Sequence, residues 1–170
     1  RRIMTEEFEI VEPTIDEIHA AMEAGELTSE YLVTTYIKRI ERYDQAGPEL
    51  NSVVTVNDGA VERAVELDQI LEQQGLTGPL HGIPVLVKDQ AETAGITTTF
   101  GSETCAEYVP EMDATLVTKL KDAGAVVLAK TTLPDFASAY FGYSSATGQT
   151  RNPYDTDLDP GGSSAGSGAG

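Results

Sequence analysis

At 170 residues, with 40% apolar side chains and a mean hydropathy of −0.21, the chain has room for one domain with its own core. Eleven lysines and arginines against 28 aspartates and glutamates give a net charge of −17 with no basic stripe, which argues against a nucleic-acid surface. No apolar run approaches the roughly 18 residues that cross a bilayer, and Cys105 with only His19 and His81 leaves no internal disulfide and no cluster with zinc-ligand spacing.

The opening RRIMTEEFEIVE turns acidic before a signal-peptide core can form, so a cytoplasmic location is expected. Acidic residues are scattered rather than gathered in a tail, as in VERAVELDQILEQQ at 61–74. Two readings stay open for them, an ordinary solvated surface and adaptation to high salt, where dense carboxylates keep a protein hydrated.

Thr14-Ile-Asp-Glu17 is a capping box and predicts a helix ending near Gly25. A second helix starts at Thr28 or Ser29, its apolar face formed by Leu32, Val33, Tyr36, Ile37, Ile40 and Tyr43, and Gln45-Ala-Gly-Pro48 ends it. The β-branched run 51–56 predicts a strand. From about Asp58 to Gln74, Val61, Ala64, Val65, Asp68 and Leu71 mark a third helix closed by Gly75.

After a turn at 78–82, the run Ile83-Pro-Val-Leu-Val-Lys88 predicts a strand buried on both faces, with Pro84 at its beginning. A helix over 114–123, capped by Asp113 and closed by Gly124, leads into a second buried strand at 125–130. Helices alternating with strands imply an α/β fold with a largely parallel sheet. From Thr131 the chain breaks into long turns of the kind that line a site. No repeat or linker divides it, so a helical region over about 1–50 and a sheet core with loops over about 51–170 belong to one domain.

Two segments carry chemistry. Lys88 ends an apolar strand, where an ammonium is costly unless it is paired or loses its proton. It is either a lysine snorkelling into solvent or a desolvated base. The terminal GGSSAGSGAG at 161–170 has the composition of a flexible tail. It lacks the Gly-Lys-Ser/Thr of a phosphate loop and the glycine spacing of a dinucleotide turn. The remaining reading is a tight turn that presents serine hydroxyls and backbone amides to a site.

Taken in order, Gly82-Ile-Pro-Val-Leu-Val-Lys-Asp89, Gly95-Ile-Thr-Thr-Thr-Phe-Gly-Ser102, Gly124-Ala-Val-Val-Leu-Ala-Lys-Thr131, Gly148-Gln-Thr-Arg-Asn-Pro153 and Pro160-Gly-Gly-Ser-Ser-Ala-Gly166 resemble the amidase signature family over most of the chain. The resemblance implies that family's fold, a mixed, largely parallel central sheet with helices on both faces. It implies amide hydrolysis to acid and ammonia or amine, without metal or cofactor, by a serine nucleophile, a bridging serine and a lysine base.

Carried over by residue, Lys88 matches the base and Ser163 the bridging serine, which the family holds after a cis peptide bond. Ser164 supports the turn, and Ala137 falls where main chain is lent to the substrate pocket. Gln90 and Thr132 replace two frequent asparagines. The family's nucleophile lies in a second glycine-rich stretch beyond Gly170, so the 170 residues are expected to be the N-terminal part of a larger domain, with one sheet face and one edge uncovered.

Expected partners are a small amide substrate, the missing C-terminal portion and, as one admissible assembly, a second copy in a homodimer, with no nucleic acid contacted directly and no membrane. Two alternatives remain. One is part of the related ammonia-supplying subunit of a glutamyl-tRNA(Gln) amidotransferase, which the stretch 136–143 resembles less than it does the general amidases. The other is a catalytically inactive fragment.

Overall fold

The structure, a computed structural model, describes residues 8–170. The first seven residues of the acidic opening segment lie outside the described residues, and with them part of the sequence argument against a signal peptide.

Helix α1 (Ile15–Glu23) begins at a complete capping box: Glu17 N–H donates to Thr14 Oγ1 at 3.2 Å, and Thr14 N–H donates to Glu17 Oε2 at 2.8 Å. Helix α2 (Ser29–Arg39) starts at Thr28, whose hydroxyl accepts from Tyr31 N–H. Two further orphan amides, Ser29 N–H and Glu30 N–H, are taken by the Asp68 carboxylate at 2.7 and 3.0 Å.

The chain does not stop after α2 but widens into a π-helical turn over Ile40–Asp44. Within it Tyr43 is exposed, lies beneath the guanidinium groups of Arg39 and Arg42, and takes no part in the packed core that Tyr36, Ile37 and Ile40 join. The part of the predicted apolar face that packs into the core therefore ends at Ile40. The same turn buries Asp44, which accepts from Ser52 N–H and Oγ and from Val53 N–H and so fixes the entry to β1 (Val53–Val56).

Helix α3 (Ala60–Gln74) ends at Gly75, as expected, at a positive φ of 78°. Its buried stripe is Ala60, Ala64 and Leu67, so Val65 and Asp68 flank the contact surface instead of forming it. Strand β2 (Pro84–Lys88) opens at its proline. Helix α4 (Thr115–Asp122) leads to β3 (Val126–Thr131).

Asp113 is not the cap predicted for α4. The residue in that place is Ala114, with no side-chain bond, because the Asp113 carboxylate is held by Lys121 Nζ at 2.7 and 2.9 Å and by Ala94 N–H at 2.8 Å.

The three strands are ordered β1-β3-β2, β3 parallel to β2 and antiparallel to β1. The sheet is thus mixed, as expected, with one pair of each kind among the described residues. On one side Val126 and Leu128 of β3 pack with Val33, Ala64 and Leu67 of α2 and α3. On the other, Val127 and Val87 pack with Val117 of α4.

Every residue of β3 is buried, as the sequence predicts. In β2 only Val87 is, so burial on both faces does not hold there. One side of the sheet opens on an apolar groove of about 800 Å³ lined by Ile40, Leu50, Val53, Leu86, Leu128 and Ala169. A short hairpin, β4 (Tyr143–Ser144) with β5 (Gly148–Gln149), and helix α5 (Ala165–Ala169) complete the described chain. Among the described residues no helix is long and apolar enough to cross a membrane.

Candidate active site

Lys88 stands at the last position of β2, opposite Thr131 of β3, and is partly buried. Its Nζ donates to Ser163 Oγ at 2.7 Å across 75 residues of sequence. Burial holds its pKa below that of an ordinary lysine, and no carboxylate lies within ion-pair distance of it among the described residues. Of the two readings open for this lysine, the structure gives it a fixed hydroxyl partner.

Ser163 follows a cis peptide bond with Gly162. The terminal decapeptide is not a tail: it is an ordered turn running into α5, docked on the strand ends. Gly166 makes that docking possible, since a Cβ there would lie 2.2 Å from Ser52 O and 2.3 Å from Thr132 N. Its own N–H donates to Thr132 O at 3.0 Å. Thr131 and Ser167 join β3 to α5 through their hydroxyls at 2.7 Å.

Ser164 takes part in the turn through its carbonyl, which accepts from Gly168 N–H at 3.0 Å, and its exposed hydroxyl has no hydrogen-bond partner among the described residues. Ala137 ends a short 3-10 turn in a left-handed conformation (φ 57°). It makes no hydrogen bond with Lys88 or Ser163. The link to them is indirect: Phe136 N–H donates to Phe100 O at 2.7 Å, and Phe100 N–H donates to Asp89 O at 3.1 Å. Gln90 is exposed, and Thr132 is buried with its hydroxyl on Thr150 Oγ1 at 2.6 Å.

Two features were missed in the sequence. Asp159 receives Gly142 N–H, Gln149 Nε2 and Gly161 N–H at 2.9, 2.8 and 2.7 Å, tying the hairpin to the glycine-serine turn. Burial acts to raise its pKa, but these hydrogen bonds outweigh it and hold the carboxyl below the usual range. Lys130, with the immediate neighbour of Lys88, Asp89, forms an ion pair at 3.0 Å in which both side chains are fully buried. Lys130 carried a signal like that of Lys88, a lysine at the end of an apolar run.

His81 is a core residue rather than a ligand, its Nε2 3.0 Å from Leu67 O and its Nδ1 2.9 Å from Thr77 Oγ1. Cys105 is a free, partly buried thiol. Among the described residues no group of three or more histidine, cysteine, aspartate or glutamate side chains converges as a metal site.

The family model for Amidase matches residues 31–170. A glutamyl-tRNA(Gln) amidotransferase subunit of Halorhodospira halophila is 41% identical over 156 residues, covering 92% of this chain and 32% of that protein. The subunit of the same name from Geobacter metallireducens is 40% identical over 162 residues, 95% of this chain and 33% of its own.

Among solved structures, native peptide amidase from Stenotrophomonas maltophilia superimposes with a TM-score of 0.91 at 42% identity, covering 96% of this chain and 34% of that one. An amidase family protein from Bacillus anthracis superimposes at 0.87 and 38%, covering 92% and 32%. The chain spans about a third of the length of the curated relatives it matches.

Proposed function

The chain belongs to the amidase signature family, and from that premise we propose that it is the N-terminal part of an amide hydrolase in which Lys88 is the base and Ser163 the relay. The observation that carries this reading is the 2.7 Å hydrogen bond between Lys88 Nζ and Ser163 Oγ, made by an amine that burial disposes to give up its proton. A serine outside these 170 residues attacks the amide carbonyl. Its proton passes to Ser163 Oγ as the Ser163 proton passes to Lys88 Nζ, and the same path returns a proton to the departing nitrogen. Water then releases the acid from the acyl-enzyme. Ser163, Ser164 and the main chain at Ala137 border the acyl group.

In the full-length protein, Lys88→Ala lowers kcat for a short aliphatic or aromatic amide by about a hundredfold to ten-thousandfold while the far-UV and near-UV spectra stay parental. Turnover close to parental contradicts the assignment.

A second reading, part of a glutamyl-tRNA(Gln) amidotransferase, is favoured by the names of the curated relatives and uses the same chemistry on glutamine. Identity does not separate the two, since peptide amidase is as similar to the chain as those amidotransferase relatives are. Glutaminase activity that rises only with partner subunits supports the second reading, and amide hydrolysis by the protein alone supports the first. The 170 residues by themselves carry no nucleophile in this scheme. Labelling of the isolated chain by a fluorophosphonate at Ser163, Ser164 or Ser167 contradicts that.

A further inference from the structure

Lys130 is the largest fully buried side chain among the described residues, yet the proposed proton path does not use it. Its Nζ donates to Ala91 O at 2.9 Å and Thr98 Oγ1 at 2.8 Å and lies 3.0 Å from Asp89 Oδ1. Two acceptors take hydrogen bonds from the amine, and the Asp89 carboxylate meets it as an ion pair. Asp89 is equally buried. Its Oδ2 accepts Thr99 N–H and Oγ–H at 2.8 and 2.5 Å, and Oδ1 has no polar partner other than Lys130.

Consecutive residues of one strand end thus turn to different partners, Lys88 to a hydroxyl and Asp89 to a cation. Resting on the reading above, we infer that Lys130 is a positioning residue for Lys88: by engaging Asp89 it denies Lys88 a counter-ion and leaves it the free amine that accepts a proton from Ser163.

Among the described residues no carboxylate forms an ion pair with Lys88. Of the elements packed against β2, β3 brings Lys130, α4 the exposed Lys119 and Asp122 and the paired Lys121, α5 no charged side chain, and α2 Tyr31, Tyr36 and the exposed Glu30, Lys38 and Arg39, while Asp159, before the serine turn, is held by Gly142 N–H, Gln149 Nε2 and Gly161 N–H. The loop after β2 adds Glu92, which is held by Tyr108 Oη at 2.6 Å. With Lys130 gone, Asp89 becomes an uncompensated buried carboxylate one residue along the chain from Lys88, and the field of an added anion stabilises an ammonium.

The test is the pH dependence of kcat/KM for a short amide in the full-length protein. Lys130→Met is expected to move the acid limb to higher pH by about one unit, so that turnover near neutrality falls about tenfold and the alkaline plateau is kept. Lys130→Met with Asp89→Asn removes both charges and returns the limb to its parental position. A limb that does not move, or a loss equal at all pH that the double variant does not reverse, overturns the inference.

If Lys130→Met does not fold, Asp89→Asn reads the same claim with the opposite sign. The limb moves to lower pH, and one that stays or rises overturns it. Failure of the two readings is distinguishable: full turnover in Lys88→Ala sinks the proton relay itself, whereas dependence on Lys88 with an unmoved limb sinks only the role of Lys130.

Discussion

Lys88 and Lys130 occupy adjoining strands and meet opposite surroundings, one facing a hydroxyl at 2.7 Å and the other a carboxylate at 3.0 Å. Desolvation lowers the pKa of both, and only Lys130 has an anion, Asp89, that opposes the shift in part. Single residues also bear the docking of the serine turn. At Gly166 a methyl group meets backbone on two sides, where neither neighbour is a flexible side chain able to yield. Gly166→Ala is therefore expected to cost at least the roughly 1–3 kcal/mol typical of overpacking, visible as a lower denaturant midpoint, and an unchanged midpoint contradicts the contact.

His81 gives a residue-scale pH effect. Burial lowers its pKa, so the native ring stays neutral while the unfolded chain takes up a proton below about pH 6.5. Its contribution is complete above that pH and is lost as pH falls toward the lowered native value. The melting temperature should fall from pH 7 to 5 more steeply than in His81→Gln, and equal slopes contradict this.

Among the elements, those set by local signals were legible in the sequence. The capping box at Thr14, the glycine closing α3 and the apolar run of β3 each name a structure within a few residues of themselves. Thr14→Ala is expected to destabilise by about 1 kcal/mol, the usual worth of an N-cap, and denaturant titration checks it. What was not legible depends on residues far apart in sequence. Asp113 has the chemistry of a cap, but Lys121 and Ala94 claim it first. Asp68 caps α2 from α3, across 39 residues. The π turn at 40–44 leaves no local mark, because its driving contact is Asp44 with Ser52 and Val53.

For the molecule as a whole, the α/β architecture and the meeting of Lys88 with Ser163 were readable through the ordered glycine, lysine and serine motifs. The Lys130–Asp89 pair was not, because nothing local tells which of two lysines next to one aspartate takes it. The net charge of −17 acts at this scale too. Among the described residues the four ion pairs include three with partly exposed side chains, so most carboxylates lack a close cation and repel one another through solvent. Salt at about 1 M shrinks the screening length to about 3 Å, and the melting temperature should rise from low salt to that concentration. A melt that does not respond, or drops, contradicts the repulsion account.

The most direct test of the proton relay is a double-mutant cycle on amide turnover in the full-length protein with Lys88→Ala, Ser163→Ala and both together. Residues that act as one unit are not additive. The account predicts that each single variant loses at least about a hundredfold and that the double variant is no slower than the worse of the two. Losses that multiply, or a single variant that keeps parental turnover, contradict it.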